Sequence, residues 1–400
     1  MKDYFFHEAK IFLKNKKNQV SLFLLLFASL YYALVLVDQY EPIQQVNPTQ
    51  IEARYQDRQE FLDSFVTTDG TYPLASYAFY VFPRWNELDH ARLQALEKKD
   101  WQTYAQKTSE WYEYSDFVYM EGAVESLRYD TQYYRWGNWW AKDDGHFAYR
   151  RETNKYRAFA TVDKSLSINA FEERTALQVF VRLSQKLLPI LLLTLLIVLM
   201  SDVVVVDYRH KSIVNNYPVT AFQRMLCKMG LVPLALLAML LVLFPSFSII
   251  SFKYGLGSFS YPVPIYFNQL LGEGTFQIIS IGQYLGLFVG ILGLWMLLVT
   301  AFIFVSSQLF KNEIVNILLA LLIVFGEAFY FSRGSGEFKP IEFIPSSFIN
   351  IGEVITGYKN FLYATEKISL SSSLYVLLPL LLILMILMYL FSKRRSHSFD

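Results

Sequence analysis

The chain has 400 residues, 54 % of them hydrophobic and only 18 % charged, the profile of a protein that crosses a membrane repeatedly rather than of a single soluble domain. Its formal net charge of +1 gives no reason to expect a nucleic-acid partner, and the charge is spread very unevenly. A single cysteine, Cys227, excludes an intramolecular disulfide and any cysteine-based metal cluster.

Residues 1–18 carry Lys2, Lys10, Lys14, Lys16 and Lys17 against Asp3 and Glu8. Phe5, Phe6, Ala9, Phe12 and Leu13 repeat at helical spacing, which predicts an amphipathic helix lying at a membrane surface, or else a helical cytoplasmic extension. Residues 20–37 hold no charge. Tyr31, Tyr32 and the Asp38-Gln39-Tyr40 that follows make a poor cleavage site, so the run is expected to be an uncleaved first span (19–37) rather than a signal peptide.

Residues 38–178 are of mixed polarity and long enough to fold on their own core. They hold six of the seven tryptophans and many tyrosines. Helices are expected at about 50–65, at 87–119 with an interruption near Lys98-Lys99-Asp100, and at 169–185 running straight into the second span. The stretch 122–163 lacks clean periodicity and leaves room for strands, so the insert is mainly helical α or α+β. Its aromatics suit a core. A stacking surface, or a belt on the outer leaflet, is the alternative. Trp136, Trp139 and Trp140 are the candidates for exposure and for substrate contact.

Further apolar runs lie near 187–206, 229–252, 281–305, 314–331 and 374–391. At about 1.5 Å per residue, about 20 apolar residues cross a hydrocarbon core of about 30 Å. The fold class expected is therefore an α-helical polytopic membrane protein: six spans, a large domain inserted between the first and second, and a five-helix region over 179–400. The basic N-terminus, the basic segment 209–228, Lys311 and Lys393-Arg394-Arg395 all fall on one side in this arrangement, which makes both termini cytoplasmic and the insert extracellular.

Within the spans, Gly282, Gly286 and Gly290 are four residues apart, aligned on one helix face for close packing within the protomer or between protomers. Glu327 falls in the fifth run, where a carboxylate is costly. It is either an intramembrane polar site or a group near the outer interface paired locally, with Arg333 six residues on. Asp202 sits at the inner end of the second span. The sequence has no Gly-x4-Gly-Lys-Ser/Thr phosphate loop and no Gly-x-Ser-x-Gly elbow. His7-Glu8-Ala9-Lys10 lacks a second histidine, and His146 after Asp143-Asp144-Gly145 is weak evidence for a metal. No catalytic, cofactor or metal-binding residue is expected.

Three local patterns complete the reading: the segment Ser201-Asp202 through Asp207, Arg209, His210 and Lys211 to Pro218, Arg224 and Lys228; Lys253-Tyr254-Gly255-Leu256-Gly257 with Tyr261-Pro262 and Gly282-Gln283-Tyr284; and Pro345 through Asn350 with Gly357. With the one-plus-five layout, they resemble ABC-2-type ABC transporter permeases, specifically the subset with a large extracellular domain after the first span. Phe348 stands where that family commonly has tyrosine. The resemblance implies an exporter of a peptide, lipid or antimicrobial compound, with a second permease subunit as homodimer or heterodimer. It also implies a separate ABC ATPase subunit holding ATP and magnesium. Asp207, Arg209, His210, Lys211, Pro218 and Arg224 would form the ATPase-coupling loop. The competing classes are a non-transporting membrane sensor whose extracellular domain binds a ligand, and a membrane-embedded enzyme built on Glu327 and Asp202.

Overall fold

The structure, a computed structural model, describes all residues except 44, 67–71, 122–126, 163–165, 211, 213–216, 270–271 and 397–400. Helix α1 (Lys2–Lys14) buries Tyr4 and Phe12 but leaves Phe6, Ile11 and Leu13 exposed, so its apolar residues are only partly used by the fold. Asn15 caps α2 (Lys16–Tyr31) by accepting from the Lys17 amide, and a π turn (Tyr32–Leu36) extends that helix.

The regular secondary structure among the described residues of the insert is all helical. It contains α3 (Pro48–Ser64), α4 (Pro73–Glu97), α5 (Trp101–Glu121) and α6 (Ala141–Phe159), with a 3-10 segment at Thr131–Gly137. The break between α4 and α5 falls at Lys98-Lys99-Asp100, where Lys99 has φ 55°. No strand occurs among the described residues of 122–163. The helix α6 carries its periodicity in Tyr149, Tyr156 and Phe159, which pack with Tyr112, Tyr104 and Phe171. Trp85 and Trp111 are fully buried, with the Trp85 indole donating to Ser115 Oγ at 2.8 Å. Arg92, also buried, is neutralised by Asp89 at 2.7 Å and lies 4.9 Å from the Trp111 ring centroid.

Residues 168–200 do not form one continuous helix. The short α7 (Ile168–Phe171) ends at a left-handed Glu173, and α8 (Ala176–Gln185) is separated from α9 (Leu187–Met200) by Lys186 at φ −136°, ψ −57°. Then follow α10 (Val205–Arg209), α11 (Ala221–Met229) and α12 (Leu231–Tyr254). The only sheet among the described residues lies after α12. It is an antiparallel hairpin of β1 (Pro262–Gln269) and β2 (Gly272–Ser280), in register from Pro262↔Ser280 to Phe267↔Thr275. The free edge of β1 is partly satisfied from outside the sheet, the Tyr266 amide donating to Thr356 O at 2.8 Å. A capping box of Ser280 and Gln283 opens α13 (Ile281–Phe310).

Against the six spans expected, five helices of spanning length and apolarity occur among the described residues. Lys16–Gln39, Leu187–Arg209, Ala221–Tyr254, Ile281–Phe310 and Leu370–Lys393 are long and apolar enough to cross a membrane. The fifth expected span is instead α14 (Glu313–Val324), 12 residues or about 18 Å at about 1.5 Å per residue, too short for a core of about 30 Å. Below it comes a folded segment with 3-10 turns, α15 (Ile351–Ile355) and α16 (Tyr358–Tyr363), which leads to α17 (Leu370–Ser396). Both chain ends nevertheless meet at one end of the bundle: Tyr4 packs on Tyr217, and Phe222 packs on Tyr389 near the end of α17.

Candidate functional site

At the end that carries both termini, two lysines reach the last carbonyls of the second long helix. Lys17 Nζ donates to Val198 O at 2.6 Å, to Ser201 Oγ at 3.0 Å and to Asp202 Oδ1 at 2.7 Å, while Asn15 donates to the other oxygen of Asp202 at 2.9 Å. Lys228 Nζ donates to Val203 O and Asp207 Oδ1, both at 2.6 Å, with Glu8 at 3.6 Å. A cation at a helix C-terminus offsets both the unsatisfied carbonyls and the dipole. These contacts bolt α1, α2, α10 and α11 together.

The expected coupling residues divide accordingly. Asp207 is engaged by the buried Lys228. Arg209 is exposed and makes a 3.5 Å pair with Glu313. His210 and Pro218 are exposed, and Arg224 donates to Val219 O at 3.2 Å. Lys211 lies outside the described residues. A cavity of about 250 Å³ opens beside them, bordered by Glu8, Asn15, Asp202, Asp207, His210 and Tyr217.

At the opposite end, Glu327 is buried and does not pair with Arg333. It accepts from Lys359 Nζ, from Tyr363 OH at 3.0 Å and from Asn350 Nδ2 at 3.1 Å, and Lys359 lies 3.5 Å from Glu353 as well. Arg333 instead makes a two-pronged contact with Asp144 on α6, at 3.0 and 2.5 Å, and lies 4.9 Å from the Trp140 ring centroid. This clasp between insert and spans escaped the sequence reading because its partners are 189 positions apart.

Around the clasp, α6 lies over the hairpin and α16, Phe147 stacking on Phe361 at 4.3 Å and meeting Tyr266 at 5.1 Å. A cavity of about 460 Å³ runs between them, lined among others by Tyr133, Phe147, Arg151, Gln185, Tyr358 and Phe361. On the other flank of α6 a second cavity, of about 450 Å³, is bordered by Asp116, His146, Arg150 and Arg157. There His146 Nδ1 is 2.9 Å from Asp116 Oδ1, which also accepts from Tyr129 OH at 2.5 Å. Burial, and then Asp116, push the Tyr129 hydroxyl well above its ordinary range. No cluster of three or more His, Cys, Asp or Glu suited to a metal occurs among the described residues.

A separate ion cluster ties α6 to the turn that precedes α8. Glu173 accepts from Arg151 Nη2 at 3.1 Å and Lys155 Nζ at 3.2 Å, with Glu152 2.5 Å from Lys155. Burial alone would raise the Glu173 carboxyl, but Lys155 and Arg151 outweigh it and hold the group down to about 2.

Trp136 and Trp139 are fully exposed, while Trp140 is partly covered by Gly334 and Arg333. Gly286 and Gly290 face open space, and Gly282 touches Phe259.

Comparison of the chain with protein-family models, curated proteins and solved structures returned no match. What the fold itself defines is an α-helical protein with five helices of membrane-spanning length and apolarity among its described residues.

Proposed function

We propose that the chain is the membrane-spanning permease subunit of an ABC-2-type exporter, driven by a separate ATPase subunit that holds ATP and magnesium and paired with a second permease subunit. Its cargo is a peptide, lipid or antimicrobial compound, with the insert outside and both termini in the cytoplasm. The observation that carries this reading is the end of the bundle around 207–224. Exposed Arg209, His210 and Pro218 project from a short connection whose flanks are bolted by Lys17–Asp202 and Lys228–Asp207. A push on such a connection is passed to α2, α9 and α12 as a rigid-body motion rather than absorbed locally.

The test has two parts. The full chain, purified from its native host, should bring an ATPase subunit with it. Arg209→Glu should then lower transport-coupled ATP hydrolysis several-fold with an unchanged melting temperature. An exposed 3.5 Å pair contributes little to stability, so the fold is not at issue. Glu313→Gln, which removes only the local partner, should leave coupling near the native level. If no ATPase associates and a ligand binds the insert instead, the sensor reading replaces this one.

A further inference from the structure

We infer that residues 131–140 form a membrane-interface anchor whose Trp136 and Trp139 enter the headgroup layer of the bilayer that holds the long apolar helices. This rests on those helices alone and not on transport.

Both indoles are essentially as accessible as in an unfolded chain, at 101 % and 96 % relative exposure. The backbone nevertheless holds them firmly. Asp130 caps the Gln132 amide at 2.9 Å, and the Asn138 side chain donates to Tyr133 O at 3.0 Å and Asp144 at 2.8 Å while accepting from the Trp140 amide at 3.0 Å. Trp136 itself sits at φ 61°, ψ 27°, a left-handed conformation that a bulky residue rarely adopts. A rigid, strained turn that presents two large apolar groups to nothing within the fold is built for an outside environment.

Position selects the environment. The helix α6 lies across one end of the long helices: Phe159 packs on Tyr261, whose carbonyl accepts from the first amide of α13, and Trp140 at the other end rests on Arg333 beyond α14. The tryptophan turn, which runs directly into Trp140, is thereby held at the edge where the chain has left α14. Directly along that edge, Ile314, Leu318, Leu322, Phe325 and Phe329 form an exposed apolar stripe at helical spacing, the face that lipid would cover. Indole, apolar in body with one N–H donor, favours the boundary between chains and headgroups. The exposed Arg135 beside it offers a guanidinium to lipid phosphate.

The probe is the full chain in phosphatidylcholine–phosphatidylglycerol nanodiscs whose acyl chains carry bromine close to the headgroup. The native protein should lose emission to bromine, and the Trp136→Phe/Trp139→Phe double variant should lack most of that loss. Aqueous iodide should quench the native pair weakly. Strong iodide quenching with no bromine effect would place the pair in water and overturn the anchor. Silence to both quenchers would place it against protein, such as a second copy, and overturn it equally. The native protein alone supplies these last two readings, so they do not depend on how the variant folds.

Discussion

Glu327 and Glu353 share one buried ammonium, Lys359, while Asn350 and Tyr363 supply further donors to Glu327. Removing one partner of a buried ion pair leaves a charge uncompensated and costs about 3–5 kcal/mol. Lys359→Met strands two carboxylates, whereas Glu327→Gln leaves Lys359 with Glu353 and an amide oxygen that still accepts from Tyr363. Lys359→Met should therefore lower the thermal midpoint of the detergent-solubilised protein more than Glu327→Gln does, and adding Glu327→Gln to Lys359→Met should recover part of the loss. The opposite ranking by intrinsic fluorescence would rule out the shared-ammonium account. Glu327 was visible in the sequence as a charge in an apolar run, but Lys359 was not recognisable as its partner, because it lies 32 positions on, beyond 3-10 turns and α15. Glu173 gives a pH signature. Its folded value of about 2 lies below the ordinary 4.5, so the unfolded chain binds the proton more readily. The stabilisation is complete above about 4.5 and drains away as pH falls through about 2. In an acid titration followed by tryptophan emission, Glu173→Gln should be less stable than the native protein at neutral pH and should lose less between those two values. Parallel acid curves for the two proteins would remove Glu173 from the acid response.

The long apolar runs were legible because a span-length helix needs only composition, and the break at residues 98–100 because lysines and aspartate interrupt the periodicity there. Elements whose form depends on distant partners were not legible. The hairpin reads as loop since Pro262, Pro264 and clustered glycines disfavour a strand, and it forms with Thr356, about 90 positions on, capping an amide on its outer edge. The run 314–331 looks like a full span by hydropathy, yet the chain leaves the helix after Val324 to bring Glu327 to Asn350, Lys359 and Tyr363. Gly357 makes this packing possible. It has φ +71°, and a Cβ there would overlap the carbonyl of Tyr266 on β1. Gly137 has a similar φ of +64° but faces open space. Alanine at Gly137 should cost only the backbone term, about 1–2 kcal/mol. Alanine at Gly357 should cost clearly more and should speed hydrogen exchange at the Tyr266 amide, which donates to the neighbouring Thr356 carbonyl. Equal losses at the two sites would mean that the hairpin is not held from this side.

Across the molecule, the insert is joined to the long helices at several separated points rather than hung from them. Arg333 holds Asp144, Asn169 donates to Tyr254 O at the end of α12 at 3.1 Å, and Arg182 of α8 lies over the Tyr40 ring at 3.3 Å. With the opposite end bolted by Lys17 and Lys228, little of the chain can move without moving its neighbours, so a transport cycle would require a second body to move against. The glycines of α13 indicate where to look for one. Packing within the protomer was one reading of their spacing, but around Gly286 and Gly290 this fold leaves open space. Leucine at both positions should therefore leave the melting temperature of the isolated protomer unchanged, since nothing in the protomer would be displaced. Under the proposed paired permease, the same two side chains would hold apart helices that must approach closely, because small residues are what let backbones come together in a membrane. Light scattering in mild detergent should then give a dimer for the native protein and a protomer for Gly286→Leu/Gly290→Leu. Equal masses for the two would assign this face of α13 to lipid and require the second subunit, if present, to dock elsewhere.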